Sequence, residues 1–163
     1  SFQTVYATEL GKIGVKKYGN GDSGRPDEKD WRSGINERLM RYSDVLLMYA
    51  ECQNELGNGP VCAEYIQKVR TRANLPNRQA KFAGYSKEQM RDLIGNERLL
   101  EFVFEGHRFD DIRRWGWLSN PTKLAELQAH DPEFKSYVSG REYFSIPQLE
   151  IETNPNLRQN QGY

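Results

Sequence analysis

Beyond residue 38 the chain acquires a period of three to four residues. Leu39, Tyr42, Leu46, Tyr49, Gln53 and Leu56 step along one side of a helix, with Val45 and Cys52 beside them. Such spacing predicts one wide stripe turned toward a core. Gly57 suits the left-handed residue that ends a helix. Pro60 suits the first turn of the next, where a missing N–H costs nothing. A second stripe, Val61, Tyr65, Ile66, Val69 and Ala73, is stopped by Leu75-Pro76. The link is short, so the two helices are predicted to pack antiparallel. Arg41 to Asn74 then makes one helical hairpin of tetratricopeptide-repeat length, agreeing in part with that repeat at Leu56-Gly57 and Ala63.

Ser86 with Gln89 is a capping-box pair that opens a third helix. Met90, Leu93, Ile94, Leu99, Leu100, Val103 and Phe104 cover more than half its girth, which predicts a largely buried helix ended or bent by Gly106. Arg108 to Trp115 reads as a shorter helix closed by Gly116. The stretch after Leu118 is mixed, broken at Asn120-Pro121 and Asp131-Pro132. Tyr143 to Tyr163 reads as an extended tail lying on the helices, anchored by Tyr143, Phe144, Ile146, Leu149, Ile151 and Leu157. Residues 1–37 are poorly periodic, with short β-like pieces at Thr4-Val5-Tyr6 and Ile13-Gly14-Val15 and a polar, Gly-rich loop from Gly19 to Asp30. The predicted class is mainly α: tetratricopeptide-like hairpins with long irregular loops and an extended C-terminal tail. The predicted division is an irregular segment 1–37 and a helical region 38–163.

Composition narrows the possibilities. A chain of 163 residues, 37% hydrophobic and 28% charged, can bury a sizeable core. Lys and Arg number 23, as do Asp and Glu, so no long-range field gathers phosphates and a nucleic-acid partner is disfavoured. The chain opens Ser1-Phe2-Gln3 without a signal peptide, as if cut from something longer, and no apolar run is long enough to span a bilayer. Two cysteines, Cys52 and Cys62, are too few for a disulfide framework and are read as buried free thiols.

Three ordered blocks carry a resemblance. The first is Arg41-Tyr42-Ser43-Asp44-Val45-Leu46-Leu47-Met48-Tyr49-Ala50-Glu51, followed by Asn54-Glu55-Leu56-Gly57. The second comprises Glu97-Arg98, Glu101, Phe104-Glu105-Gly106, Arg108, Asp110 and Arg114-Trp115-Gly116. The third comprises Ile146-Pro147, Glu150, Asn154-Pro155, Leu157 and Gln159-Asn160-Gln161-Gly162-Tyr163. Over about residues 38–163 the chain resembles the C-terminal portion of the SusD/RagB family, departing mildly at Ser43, where Ala is usual, and at Gln161, where Pro is usual. The resemblance implies a non-catalytic glycan-binding subunit, lipid-anchored through an N-terminal segment on the outer face of the Bacteroidetes outer membrane. It also implies an oligosaccharide ligand and a TonB-dependent SusC-like transporter as partner, with tetratricopeptide-like helices as the transporter-facing scaffold. Much of such a family's sugar-binding surface lies N-terminal to this region, so the implied role here is mainly scaffold.

Candidate chemistry is weighed against packing. Glu97, Glu101 and Glu105 fall on one side of a helix, a spacing that also allows the carboxylate pair of a glycoside hydrolase. Arg98, Arg108, Arg113 and Arg114 are close in sequence, and guanidinium forks hold carboxylates ionised, which is wrong for a general acid. Glu97, Arg98, Glu101, Glu105, Arg108, Asp110 and Arg114 are therefore read as a structural ion-pair network, and no catalytic residue is assigned. Gly19, Gly21 and Gly24 match a dinucleotide fingerprint by letter, but no helix pattern follows. Asn20, Asp22 and Asp27 lack calcium-loop spacing. His107 and His130 are far apart and outside any zinc motif, so neither metal nor cofactor is expected. Trp31 and Trp117 are the candidate sugar platforms, because an indole face suits the apolar face of a pyranose. Trp115 sits in the family-like block and is expected to be buried. A bare tetratricopeptide-type interaction scaffold is the remaining alternative.

Overall fold

The computed structural model describes residues 38–163. The β-like pieces and the Gly-rich loop expected from the sequence, with Asn20, Asp22, Asp27 and Trp31, lie outside them. Among the described residues there are seven α-helices. The first two are α1, Tyr42–Glu55, and α2, Gly59–Arg72, packed along each other as a hairpin. Gly57 has φ +82°, and Pro60 sits in the first turn of α2. Asn74, at φ 56°, ends α2, where Leu75 N–H donates to Arg70 O at 3.0 Å. A short α3, Gln79–Ala83, turns back on α2 and buries Phe82.

Helix α4, Lys87–Glu101, packs against α1 and, less extensively, α2. Ser86 and Gln89 close the capping box from both sides. Leu47, Ala50, Cys62, Ile66, Met90 and Ile94 are the interior of this four-helix assembly. The class is helical, with tetratricopeptide-like hairpin packing, as the periodicity predicts.

Two stripe assignments are corrected. The inward face of α1 is Ser43, Asp44, Leu46, Leu47, Ala50 and Asn54, while Tyr42, Val45, Tyr49 and Leu56 remain exposed. Polar partners set this rotation: Asp44 meets Arg98, and Asn54 Nδ2 donates to Lys87 O at 3.1 Å. A hydrophobic count is blind to both. The second half of α4 behaves likewise. Leu99 and Leu100 are exposed, Val103 and Phe104 lie exposed beyond the helix end, and the buried residues are Gly95, Glu97 and Arg98.

Gly106, at φ +83°, starts α5, His107–Arg114, and Gly116, at φ +66°, closes it. A 3₁₀ turn, Trp117–Ser119, leads into α6, Pro121–His130. Here the chain is more ordered than its mixed composition suggests, because Asn120 Oδ1 caps the helix, accepting from Thr122 and Lys123 N–H at 3.0 and 3.2 Å. Ile112, Leu118 and Leu127 make a second small core, flanked by Trp117 and Phe134.

After a second 3₁₀ turn, Pro132–Ser136, comes the tail, which contains α7, Gln148–Thr153. The expectation that it lies on the helices by apolar anchors is corrected in part: Tyr143, Phe144 and Leu149 are exposed, while Ile146, Ile151 and Leu157 are half-buried. The tail closes on itself instead. Gln159 bonds both the N–H and the C=O of Ile146 at 2.9 Å, Asn160 Nδ2 donates to Phe144 O, and Arg141 Nε donates to Gly162 O. An Asn- and Gln-rich segment satisfies its backbone with its own amides more readily than with an apolar helix face. The cysteine reading is corrected in part. Both are free, but only Cys62 is buried, its thiol pushed up to about 12 by burial, whereas Cys52 is exposed on the outer face of α1.

Candidate functional site

The polar centre of the molecule is Arg98. Its Nη1 donates to Asp44 Oδ1 and its Nε to Asp111 Oδ2, both at 2.7 Å, with all three side chains almost fully buried. One guanidinium thus ties α1, α4 and α5 together. Asp111 also accepts from Arg114, whose Nη atoms reach Glu51 at 2.6 and 2.7 Å. Arg41, ahead of α1, spans to the end of α4: it donates to Glu101 and doubly to Glu105, each at 2.8 Å, and to Glu101 O at 2.9 Å. Glu101 also meets Arg72, and Glu97 pairs with Arg70 of α2. Phe102 lies beneath this web, with the Arg41 and Arg98 guanidinium carbons each 5.0 Å from its centroid.

The structure brings Glu97, Arg98, Glu101, Glu105 and Arg114 into this web and leaves two of the sequence-selected residues out. Asp110 is exposed and, among the described residues, pairs with Arg113 alone, one turn away at 3.0 Å. Arg108 stacks on Trp117, its guanidinium carbon 4.8 Å from the ring centroid. Sequence reasoning missed Arg41, Asp44, Glu51, Arg70, Arg72 and Asp111. Five of these lie on the hairpin, 27 to 64 residues from their partners, where no local spacing links them. Only Asp111, three residues before Arg114, was within reach of an i,i+3 argument.

The glutamates' protonation follows from this geometry. Burial pushes the Glu101 carboxyl upward, but hydrogen bonds from Arg41 and Ser43 and the charge of Arg72 bring it below its ordinary value. Glu51 behaves the same way: burial raises it, and the Arg114 and Trp115 donors more than offset that. A glycosidic general acid requires the reverse, a carboxyl that keeps its proton near neutrality. His107 packs edge-on to Phe102, with centroids 5.0 Å apart, and His130 ends α6. Among the described residues no group of three His, Cys, Asp or Glu is placed to hold a metal, and no helix is long and apolar enough to cross a membrane.

The aromatic features gather beside α4. Trp115, expected to be buried, is half-buried against the main core, with its indole N–H donating to Glu51 Oε1 at 2.7 Å. Trp115 and Trp117 stand 5.3 Å apart and line a hollow of about 370 Å³ with Glu51, Glu55, Arg91 and Ile94. Glu55 is held down to about 2 by hydrogen bonds from Arg91 and Lys87. Gly95 makes room for the indoles: a Cβ there would stand 3.1 Å from the Trp117 ring. Gly95→Val is expected to lower stability by about 1–3 kcal/mol through overpacking. Its tryptophan emission should shift relative to wild type, since either indole must move. An unchanged spectrum and melting curve would refute the close packing.

With the fold and these geometries established, the chain can be set beside known proteins. A family model for the SusD family matches residues 6–163. SusD-like protein P25 of Formosa agariphila is 37% identical over 78% of this chain and 25% of its own length, and SusD-like protein P2 of the same organism is 31% identical over 80% and 26%. A SusD superfamily crystal structure from Bacteroides vulgatus superposes with a TM-score of 0.67 at 36% identity, covering 81% of this chain and 29% of that one. A SusD-like protein from Bacteroides fragilis gives a TM-score of 0.62 at 25% identity, over 78% and 26%. The chain belongs to the SusD family. It spans about a quarter of the length of the curated relatives it matches.

Proposed function

We propose that this region is the helical scaffold of a glycan-binding SusD-type subunit, held at the outer membrane by a lipid anchor and docked on a TonB-dependent, SusC-like transporter. The observation that carries the reading is the Arg98 node. The first two sequence blocks shared with the family meet there, and their charged residues are consumed in fastening α1, α4 and α5. Carboxylates so engaged serve architecture, and the lowered Glu51 and Glu101 carboxyls are the reverse of what a proton donor for glycoside cleavage needs. Tyr42, Val45, Met48 and Tyr49, exposed on the outside of the hairpin, are consistent with a face used against another protein.

The test is a panel of oligosaccharides followed by calorimetry, run on this chain and on a protein of the relatives' full length, with products analysed in the same tubes. Binding without hydrolysis is the expected outcome, stronger for the longer protein. Hydrolysis that co-purifies with the protein and is lost in Glu101→Gln would overturn the non-catalytic reading.

A further inference from the structure

A second hollow, of about 460 Å³, opens between α4 and α6. Asp92 and Asn96 of α4, Arg108, Trp117, and Lys123 and His130 of α6 form most of its wall. Its charges are not equally satisfied. Lys123 is held by Asp92 at 2.8 Å and Glu126 at 2.9 Å. The guanidinium groups of the central web, those of Arg41, Arg70, Arg98 and Arg114, all contact carboxylates. Arg108 is different. Half-buried, it has no carboxylate within ion-pair distance among the described residues, and its one backbone contact, Nη1 to Gly95 O, is long at 3.4 Å. Burial accordingly disfavours its charged form, with Asp111 only partly offsetting this.

A guanidinium withdrawn from water without an anion is costly, and an anion placed in its plane removes that cost. Trp117 lies against the guanidinium, its ring centroid 4.8 Å from the guanidinium carbon, and a planar fork of N–H donors is the group that receives a planar carboxylate through two parallel bonds. The rest of the wall suits the remainder of a sugar. Asn96 supplies a donor and an acceptor, Asp92 and Glu126 supply acceptors for hydroxyls, and Leu99 and Ala129 supply apolar surface.

We infer that the α4–α6 hollow is a subsite for an acidic saccharide, with Arg108 receiving the ring carboxylate and Trp117 holding the guanidinium in position. The inference rests on the glycan-binding reading above and adds a substrate class and a location to it.

Methyl glucuronide and methyl glucoside differ only in the C6 carboxylate and are the probes for calorimetry on the present chain. A charge-assisted pair is worth about 1.5–3 kcal/mol, so the glucuronide should bind at least about tenfold tighter. Arg108→Gln should abolish the difference while far-ultraviolet dichroism and the melting curve stay near wild type. Arg108→Lys, which keeps the charge but not the fork, should lose most of the preference. Equal binding of the two glycosides, no glucuronide binding at all, or a preference that survives Arg108→Gln would each overturn the assignment. So would acetate competing as strongly as the glucuronide, since that marks a bare anion site. None of these results bears on neutral-glycan binding by the longer protein, which tests the proposed function separately.

Discussion

Arg98→Ala is expected to be the most damaging single change in the described region, lowering stability by about 3–5 kcal/mol. Arg98 is nearly inaccessible and neutralises two carboxylates that are equally inaccessible, Asp44 and Asp111. Removing it leaves two buried anions, Asp44 without its donor and Asp111 with only Arg114 remaining. The loss has little to do with the attraction in the intact node, much of which is spent on desolvation. It comes from the uncompensated charges that remain. That distinction is measurable by denaturant unfolding. Asp44→Leu, Arg98→Met and Asp111→Leu combined should recover most of the stability lost by Arg98→Ala alone, because no buried charge is then orphaned. A triple variant as unstable as the single one would show that volume, and not charge, dominates the site. The combined variant should also loosen Arg114, which loses its bond to Asp111 but keeps Glu51.

The same node explains what could be read from the sequence and what could not. Features fixed by neighbours in the chain were legible: the Gly57 and Pro60 corner, the Ser86–Gln89 box, the Gly116 stop. Each depends on residues within about one turn of one another. The rotation of α1 was not legible, because it is set by Asp44 finding Arg98, 54 positions away. A hydrophobic count assigns the inward face to tyrosines and leucines, and here a buried aspartate outranks them. The exposed end of α4 has the same origin: Glu97 and Arg98 take the inside, so Leu99 and Leu100 turn out. Helix α6 was legible in principle, since Asn at the cap and Pro in the first turn are a start signal, but the pair read equally well as a break. For Trp117 the sequence offered an aromatic near a loop. The two hollows beside it, and the position of Arg108 over its face without a carboxylate partner among the described residues, arise only from the packing of α4, α5 and α6.

Gly140→Ala should open the C-terminal tail while leaving the helical assembly folded. Gly140 is buried and has φ +98°, a conformation L-residues rarely adopt. Its added Cβ would also overlap the carbonyl of Gln161, and backbone cannot swing aside as a side-chain tip can. Gly162 sits on the other side of the same crossing, at φ +93° against Ser139 O. The tail is held by bonds to itself, so the strain has one inexpensive exit, which is to release those bonds together. A cost of about 3 kcal/mol corresponds to roughly a 100-fold loss of amide protection. Hydrogen exchange should show that loss at Ile146 and Asn160, with the amides of α1, α2 and α4 unchanged. Trypsin should then cut after Arg141 and Arg158 faster than in the wild type. If protection fell equally in α4 and in the tail, the closure would be part of the helical core's cooperative unit, and the tail would be a structural strap for the whole scaffold.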